Sequence, residues 1–348
     1  MKKLLSLVLI ALIAFSLLPA SAQGVVRVFN WEDYIDPEVI SLFEEETGIK
    51  VDYMRFTLNE DMMVQVRNSP GYFDLVFPSD YAIERMISEE LLQPIDFEKV
   101  PNSAQTLDWL QNPDYDPEHK YSIPYMWGTV GILYDANRVK EPIDSWGVLF
   151  EDTYKGEVFM LDSPRDALGV ALKYLGYSVN SKNPAEIKAA ADLLIKQKQD
   201  GIVKAYQVDE TKDKMVAGEG ILAVMWSGDA QYAIDESPEG IDLTYVVPKE
   251  GSNVWVDGMV IPASAPNPEN ALAFIDFLSR PEIAKMNCEY IRYSSPNKGA
   301  IELMGEEYTS NTNLNPSQET IDNCEFFHDN ADVKVLYDTF WGMVKNAK

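Results

Sequence analysis

Short strand-forming runs alternate with helix-forming segments in this chain, and that alternation most constrains its fold. Runs at 25–29 and 49–53 flank Pro37–Thr47, a segment with helical spacing, a proline at its start and Gly48 just after its end. Strand–helix–strand order predicts the α/β class with parallel strands. Ligands bind beyond the carboxyl ends of such strands. Trp31 and Ser79 each follow a strand-forming run, so both are expected at that edge.

The same alternation continues after residue 130. About 326 residues follow the first 22, which is more than one hydrophobic core usually serves, so two lobes are expected. No flexible linker divides the chain, so strands are expected to cross between the lobes. Strands are predicted at 130–134, 157–161, 221–226, 243–248, 254–257 and 259–262, and helices at 166–175, 184–199 and 271–278.

The first 22 residues have the pattern of an export signal. Lys2 and Lys3 precede an apolar run at 4–18, and a small-x-small cleavage pattern ends at Ala22. The apolar run of 15 residues is too short to span a bilayer comfortably. We therefore expect export, cleavage near Ala22 and a soluble mature protein. A buried N-terminal helix is the alternative.

The chain is strongly acidic, with a net charge of −27, or −29 without the two lysines of the signal. Such a surface repels nucleic acid and anionic lipid and raises the local concentration of cations. No nucleic-acid partner is expected. Solubility alone explains the charge equally well, so the charge selects no ligand.

Two cysteines and two histidines, Cys288, Cys324, His119 and His328, lack the spacing of a metal site. No metal site is therefore expected. The cysteines could pair in an oxidising compartment, provided that the fold brings them together.

Aromatic residues and carboxylates recur together where the predicted strands end. Each group follows an apolar run, where loops would line a cleft. Asp80, which lies between two members of the set, is interpreted as a solvated or capping neighbour and is left out. The groups are Trp31 with Asp33 and Tyr34; Ser79 with Tyr81; Asp162 with Asp166; Trp226 with Asp229; Trp255 with Asp257; and Tyr293.

A linear diamine requires this mixture of side chains. Each ammonium needs a carboxylate, an attraction of about 4 kcal/mol at 4 Å with an effective dielectric near 20, much of it offset by desolvation. The methylene chain needs flat apolar walls, and tryptophan faces attract cations by about 0.5–2 kcal/mol. A sugar would favour more amides and arginines, and an amino acid would need a partner for its carboxylate. Arg165 is the main basic residue near these segments.

Each of these residues also has an ordinary structural explanation. Trp226 and Trp255 are of a type that is usually largely buried in a core. Asp229 and Asp257 would fit turns or helix caps. Asp162, before Ser-Pro, would fit a helix N-cap. Only the repeated pairing of aromatic and acid favours a binding site.

At these residues the chain resembles the polyamine-binding periplasmic proteins of ABC importers, a branch of the two-lobed type II solute-binding proteins. The resemblance covers essentially the whole mature chain, and it depends on the ordered set rather than on any one motif. The motifs are NWEDYI at 30–35, PSDY at 78–81, IPYMWGT at 123–129, YKG at 154–156, MWSGD at 225–229, PKEG at 248–251, WVD at 255–257 and YSSPN at 293–297.

The resemblance implies an α/β fold of two lobes, each a mixed β-sheet flanked by helices, with the ligand cleft between them. Residues 23–132 with 256–300 would form one lobe, and 133–255 with 301–348 the other. It also implies a periplasmic monomer that delivers putrescine or spermidine to the membrane permease of an ABC importer. Hinge closure on the ligand would create the form that the permease recognises. Neither a cofactor nor catalysis is expected.

The resemblance also implies residue roles. Ser79 and Tyr81 would hydrogen-bond one end of the ligand, Asp257 would hold an amine, and Asp162 or Asp166 would meet the other end. Aromatic side chains would enclose the methylene chain. The full predicted ligand-binding set is Trp31, Asp33, Tyr34, Ser79, Tyr81, Asp162, Asp166, Trp226, Asp229, Trp255, Asp257 and Tyr293.

Two positions favour putrescine over spermidine. Asp229, three residues after Trp226, resembles the putrescine-preferring branch of the family. Glu325 stands beside Phe326 where spermidine binders tend to carry a glutamine. Spermidine remains a close alternative ligand.

Two further functions compete with polyamine binding. Paired carboxylates among aromatics are also typical of a secreted glycoside hydrolase. A type II binding protein for another solute, such as a sugar or ferric iron, is the other alternative.

Overall fold

A computed structural model describes residues 24–348, and the predicted signal peptide at 1–22 lies outside the described residues. Helix α1, Pro37–Thr47, starts at the Asp36 cap, whose side chain accepts a hydrogen bond from the Glu38 N–H, and ends at Gly48 in the left-handed conformation. It connects strands β1, Val25–Trp31, and β2, Lys50–Phe56, which pair in parallel as predicted. No helix within 24–348 is long and apolar enough to cross a membrane.

Within residues 24–348, nine strands form one sheet in the order β2-β1-β3-β9-β4-β7-β5-β6, with β8 also paired to β4. The remaining strands are β3, Leu75–Val76; β4, Ser122–Asp135; β5, Val158–Leu161; β6, Val203–Gln207; β7, Leu222–Trp226; β8, Leu243–Val246; and β9, Val254–Val260.

The helices cover both faces of this sheet. Short 3₁₀ turns lie at Phe97–Lys99, Pro101–Gln105, Asp108–Leu110, Trp146–Phe150 and Asp152–Tyr154. The α-helices after α1 are α2, Asn59–Asn68; α3, Asp80–Ser88; α4, Pro164–Tyr174; α5, Pro184–Gln199; α6, Glu210–Val216; α7, Ser227–Asp235; α8, Pro268–Leu278; α9, Pro281–Ile291; α10, Lys298–Thr309; α11, Gln318–Asp322; and α12, Lys334–Asn346.

Strand β4 joins two halves of the sheet. Its first part, through Thr129, pairs with β9, and its last part, from Val130, pairs with β7 and β8. We call the half with β1, β2, β3 and β9 the first lobe and the half with β5 to β8 the second lobe. The predicted crossing of strands between lobes is therefore present in β4.

Strands β4 and β9 are longer than their sequence patterns predicted. Pro124 lies in β4 at a shift of register, where a missing N–H is tolerated. Gly258 continues β9, although the sequence predicted separate strands on either side of it. A Cβ at Gly258 would lie 2.8 Å from Ile83 Cδ1, so this glycine serves a close approach rather than a break.

The C-terminal region packs on both lobes. Met304 and Tyr308 on α10 pack against the first-lobe core that contains Phe43 and Phe274. Tyr337 and Val344 on α12 lie in the second-lobe core. The predicted boundary at 300/301 would separate α10 from the core that it packs against. The predicted lobe boundaries as a set stay a prediction.

The two cysteines are both free. Cys288 lies in the core on one face of the first-lobe sheet, and Cys324 packs against the core on the other face. The sheet lies between them, so the disulfide left open from the sequence does not form in this structure.

Candidate functional site

Asp257, in the middle of β9, is the centre of a hydrogen-bonded cage. Its side chain is 6% exposed. The Ser79 hydroxyl donates to Oδ1 at 2.6 Å, and the Tyr34 hydroxyl donates to Oδ2 at 2.8 Å. Burial raises the pKa of Asp257 to about 6, although both hydrogen bonds act in the opposite direction. A buried acid with two fixed donors and further lone pairs is suited to accept an ammonium group.

Ser79 is held in place from two sides. It forms an isolated bridge with Asp257, because the loop after β3 runs beside β9. Asn59, the first residue of α2, donates to the Ser79 hydroxyl at 3.1 Å and accepts from the Ser79 N–H at 3.2 Å. Asn59 also donates to the Tyr81 hydroxyl at 3.1 Å. Sequence reasoning missed Asn59, although its position after β2, another parallel strand, was a usable signal.

Aromatic rings surround the Asp257 cage. Tyr293 lies edge-on to Tyr34, with ring centroids 5.8 Å apart, and edge-on to Trp255 at 5.2 Å. The buried Trp255 indole N–H has no hydrogen-bond partner within residues 24–348. Trp255 crosses β4 at Gly128, where a Cβ would lie 2.5 Å from its ring. We call the rings of Tyr34, Tyr293 and Trp255 the aromatic wall; their contact with a ligand stays a prediction.

Trp31, another aromatic residue of the predicted set, is the last residue of β1. Its indole N–H donates to the Phe77 carbonyl at 2.8 Å, and its ring packs on Phe56 with centroids 4.4 Å apart. The side chain is partly exposed. Its orientation is therefore fixed by the first-lobe core, with part of the ring free.

A second acid, Asp229, lies in the first turn of α7. The Tyr293 ring packs against the start of α7, where a Cβ at Gly228, the residue before Asp229, would lie 2.3 Å from it, so this acid lies beside the aromatic wall. Lys212 Nζ lies 3.5 Å from Asp229 Oδ1. Burial raises the pKa of Asp229, while Lys212 acts to lower it.

A third acid, Asp166, lies in the first turn of α4. It is buried and accepts from the Ser163 hydroxyl at 2.5 Å. Burial raises the pKa of Asp166. Trp226, the last residue of β7, packs partly buried against the second-lobe core. The guanidinium of Arg165, next to Asp166, lies 5.6 Å from the centroid of Tyr81 in the first lobe.

Two predicted residues lie apart from this cluster. Asp33 is exposed in a turn with φ of 50°. Asp162 is exposed and pairs with Lys345 Nζ at 2.5 Å, next to Tyr206 and Trp341. Because α4 starts directly after Asp162, the helical turn carries Asp166 inward and leaves Asp162 at the surface. Of the two acids offered for the far end of a ligand, only Asp166 is buried.

The sequence interpreted Asp80 as a solvated or capping neighbour, and the solvated alternative is wrong. Its side chain is 0% exposed, and its Oδ1 accepts from the Tyr81 N–H at 2.7 Å. Its Oδ2 is buried with no hydrogen-bond partner in the described part of the chain. Burial holds the pKa of Asp80 well above its usual range, and the Asp257 charge acts in the same direction.

No group of three or more His, Cys, Asp or Glu side chains in residues 24–348 has an arrangement that could hold a metal ion. The chemistry of the cluster is therefore described by its acids, hydroxyls and rings. Those groups can accept hydrogen bonds from a cation and enclose an apolar chain.

Comparison with known proteins gives consistent matches. The model of a family described as bacterial extracellular solute-binding protein matches residues 38–316. A spermidine/putrescine-binding periplasmic protein of Escherichia coli (strain K12) is 35% identical over 331 residues, with 94% of each chain covered. The putrescine-binding periplasmic protein SpuD of Pseudomonas aeruginosa (strain UCBPP-PA14) is 32% identical, covering 100% of this chain and 98% of that one.

A solved structure gives the same result. The spermidine/putrescine ABC transporter substrate-binding protein PotD from Streptococcus pneumoniae strain Canada MDR_19A has a TM-score of 0.82 and 37% identity, covering 92% of this chain and 98% of that chain. This likeness confirms the predicted two-lobed type II fold.

Proposed function

The chain belongs to the family of bacterial extracellular solute-binding proteins, and on that premise we propose that it captures a polyamine, putrescine or spermidine, for uptake by an ABC importer. The single observation that carries the proposal is the Asp257 cage bordered by Tyr34, Tyr293 and Trp255. A buried carboxylate beside an aromatic wall matches a charged end followed by a methylene chain. The relatives named above are described as binding such ligands.

One ammonium of the ligand binds Asp257 in this proposal. Ser79 and Tyr34 hold the carboxylate so that little reorganisation is needed when the cation arrives. The methylenes lie against Trp255 and Tyr293. Asp229 or Asp166 receives the other end of the ligand, which makes the site too acidic for an anionic solute.

Putrescine is the favoured ligand. Asp229 provides a second acid beside the wall, since the Tyr293 ring packs against the preceding Gly228. Glu325, the other position that distinguishes the ligands, is engaged elsewhere, because Lys173 Nζ lies 3.0 Å from its Oε1 and Ser178 donates to its Oε2. A short diamine therefore has matched partners at both ends.

The mechanism is closure of the two lobes on the ligand, without covalent chemistry. Trp255, Asp257 and Tyr293 belong to the first lobe, and Asp229, Asp166 and Trp226 to the second. A ligand that contacts both sets stabilises the closed form by its differential affinity for that form. The protein is exported with cleavage near Ala22, and its closed monomer delivers the ligand to the permease.

Titration calorimetry on the mature protein tests this function. We expect micromolar or tighter binding of putrescine or spermidine, lost or at least about 100-fold weaker in Asp257→Ala and Trp255→Ala, because each removes a direct ligand contact. Asp162→Ala is the matched control and retains the wild-type affinity, since Asp162 pairs with Lys345 at the surface. Unchanged affinity in both site variants would reject the site.

The competing functions are separated in the same series. Maltose, ferric citrate and spermine complete the ligand panel, and glycoside hydrolysis is measured in parallel. We expect no turnover and no heat from maltose or ferric citrate. Hydrolysis that is lost in Asp257→Asn would instead establish a glycosidase.

A further inference from the structure

Lys212 already pairs with Asp229, the acid at one end of the aromatic wall. Lys212, on α6, places Nζ 3.5 Å from Asp229 Oδ1, and the two side chains are only 28% and 15% exposed. The same ammonium lies 5.3 Å from the centroid of Tyr232 on α7. The pair is thus partly shielded from water, where charges interact more strongly than at an open surface.

The order of contacts places Lys212 last in a series. Asp257 bonds to Tyr34, Tyr34 packs on Tyr293, Tyr293 packs against Gly228 next to Asp229, and Asp229 pairs with Lys212. A ligand anchored at Asp257 and lying along the wall therefore meets Asp229 before it meets Lys212. Each additional segment of a longer ligand extends toward the lysine.

The lysine side chain is chemically similar to the ligand proposed above. It has four methylenes and a primary ammonium, as one end of a linear polyamine does. It can therefore satisfy Asp229 in the same way as a ligand amine. It also repels any further ammonium that approaches the same place.

Resting on the proposed function, we propose that Lys212 is a specificity-determining residue that favours ligands with two charges over ligands with three. Its ammonium occupies the position that the third charge of a triamine would take. A diamine still shares Asp229 with the lysine, since a carboxylate accepts several hydrogen bonds. Asp209, at the start of α6, adds a nearby negative charge that keeps the end of the site favourable for the diamine.

Calorimetry with putrescine and spermidine on Lys212→Met tests this proposal. Methionine keeps the length of the side chain and removes its charge. We expect the ratio of spermidine to putrescine affinity to rise about tenfold or more, because the triamine gains a position and loses a repulsion. Lys212→Gln, a second neutral variant, shows the same shift if methionine impairs folding, and Lys212→Arg keeps the wild-type ratio.

Lys214→Met is the matched control on the same helix. Its Nζ donates to Gln207 Oε1 at 2.7 Å, and no salt bridge of the described residues includes it. The loss of charge is identical, so a general field effect appears in both variants. We expect the affinity ratio of Lys214→Met to stay within about twofold of the wild type.

Two results overturn the inference. One is an unchanged ratio in both neutral Lys212 variants, and the other is an equal shift in Lys214→Met. If the wild type binds polyamines in either case, only the role of Lys212 fails. A wild type that binds no polyamine at all rejects the proposed function and this inference together.

Discussion

At the scale of single residues, binding and stability oppose each other at Asp257. Burial raises its pKa from an ordinary 3.8 to about 6, so the ionised form is less stable inside the protein than in water. That difference corresponds to about 3 kcal/mol at neutral pH. The site holds a costly negative charge that a bound cation would compensate. Such a conflict is typical of functional positions.

The pH dependence of binding follows from the same group. Below about pH 6 Asp257 becomes neutral, so we expect putrescine affinity to fall as pH decreases from 7.5 to 5. Calorimetry across that range measures the change. Asp257→Asn gives weak binding with a much flatter profile. An unaltered pH dependence in Asp257→Asn would assign the effect to another acid.

The stability of the unliganded protein has the opposite pH trend at this residue. The folded-state pKa lies above the unfolded-state value, so the contribution of protonated Asp257 is complete below about pH 4 and is lost as pH rises through about 6. At pH 7.5 we therefore expect the free energy of unfolding of Asp257→Asn to exceed that of the wild type by up to about 3 kcal/mol. Denaturant unfolding measures this difference. Equal stability of the two proteins at pH 7.5 would contradict the raised pKa.

At the scale of elements, close approach between strands and helices shapes the aromatic wall. Gly128 in β4 lies opposite Trp255 in β9, and a Cβ there would also lie 2.7 Å from the Ser227 hydroxyl on α7. A Cβ at Gly228 would lie 2.3 Å from the Tyr293 ring, so this glycine also permits a close approach. Small residues on the lobe-crossing strand and at the α7 N-terminus thus let the rings reach between the lobes.

Gly128→Ala tests this packing. The added methyl displaces the Trp255 ring, so we expect about 1–3 kcal/mol lower stability by denaturant unfolding, a change in tryptophan fluorescence and weaker putrescine binding. Gly342→Ala on α12 is the control, since nothing lies within 4 Å of its added methyl. There we expect about 0.5–1 kcal/mol of added helix stability and unchanged affinity. Wild-type fluorescence and affinity in Gly128→Ala would contradict the close contact.

At the scale of the whole molecule, contacts outside the ligand site also join the lobes. Arg292, the residue after α9 in the first lobe, reaches α7 in the second. Its guanidinium lies 2.9 Å from Glu236, 3.6 Å from Asp235 and 4.9 Å from the centroid of Tyr232. Because these contacts join the two lobes, we expect them to favour the closed form.

Arg292→Ala is expected to weaken putrescine binding about three- to tenfold, mainly through faster release, because the closed form loses partly shielded ion pairs. Stopped-flow fluorescence measures the release rate. Arg280→Ala is the matched control, since Arg280 pairs with Glu46 inside the first lobe at 2.8 Å. Equal release rates in Arg292→Ala and the wild type would show that these contacts do not stabilise closure.

Local chemistry was sufficient for much of this protein. Helix α1 was predicted at its observed bounds, because a proline at the start and a glycine after the end act within one turn of the chain. Helix α5, with Pro184 at its start, agrees as well. The α/β class and the pairing of acids with aromatics at strand ends follow from patterns that neighbouring residues carry.

Only the tertiary structure decided which acids share the site. Asp162 and Asp166 are four residues apart, yet one lies at the surface and the other inside, because the direction of α4 separates them. The burial of Asp80 and the position of Lys212 beside Asp229 depend on how separate elements pack together. Sequence patterns record the faces of single strands and helices, whereas burial and charge partners arise when those faces are packed together.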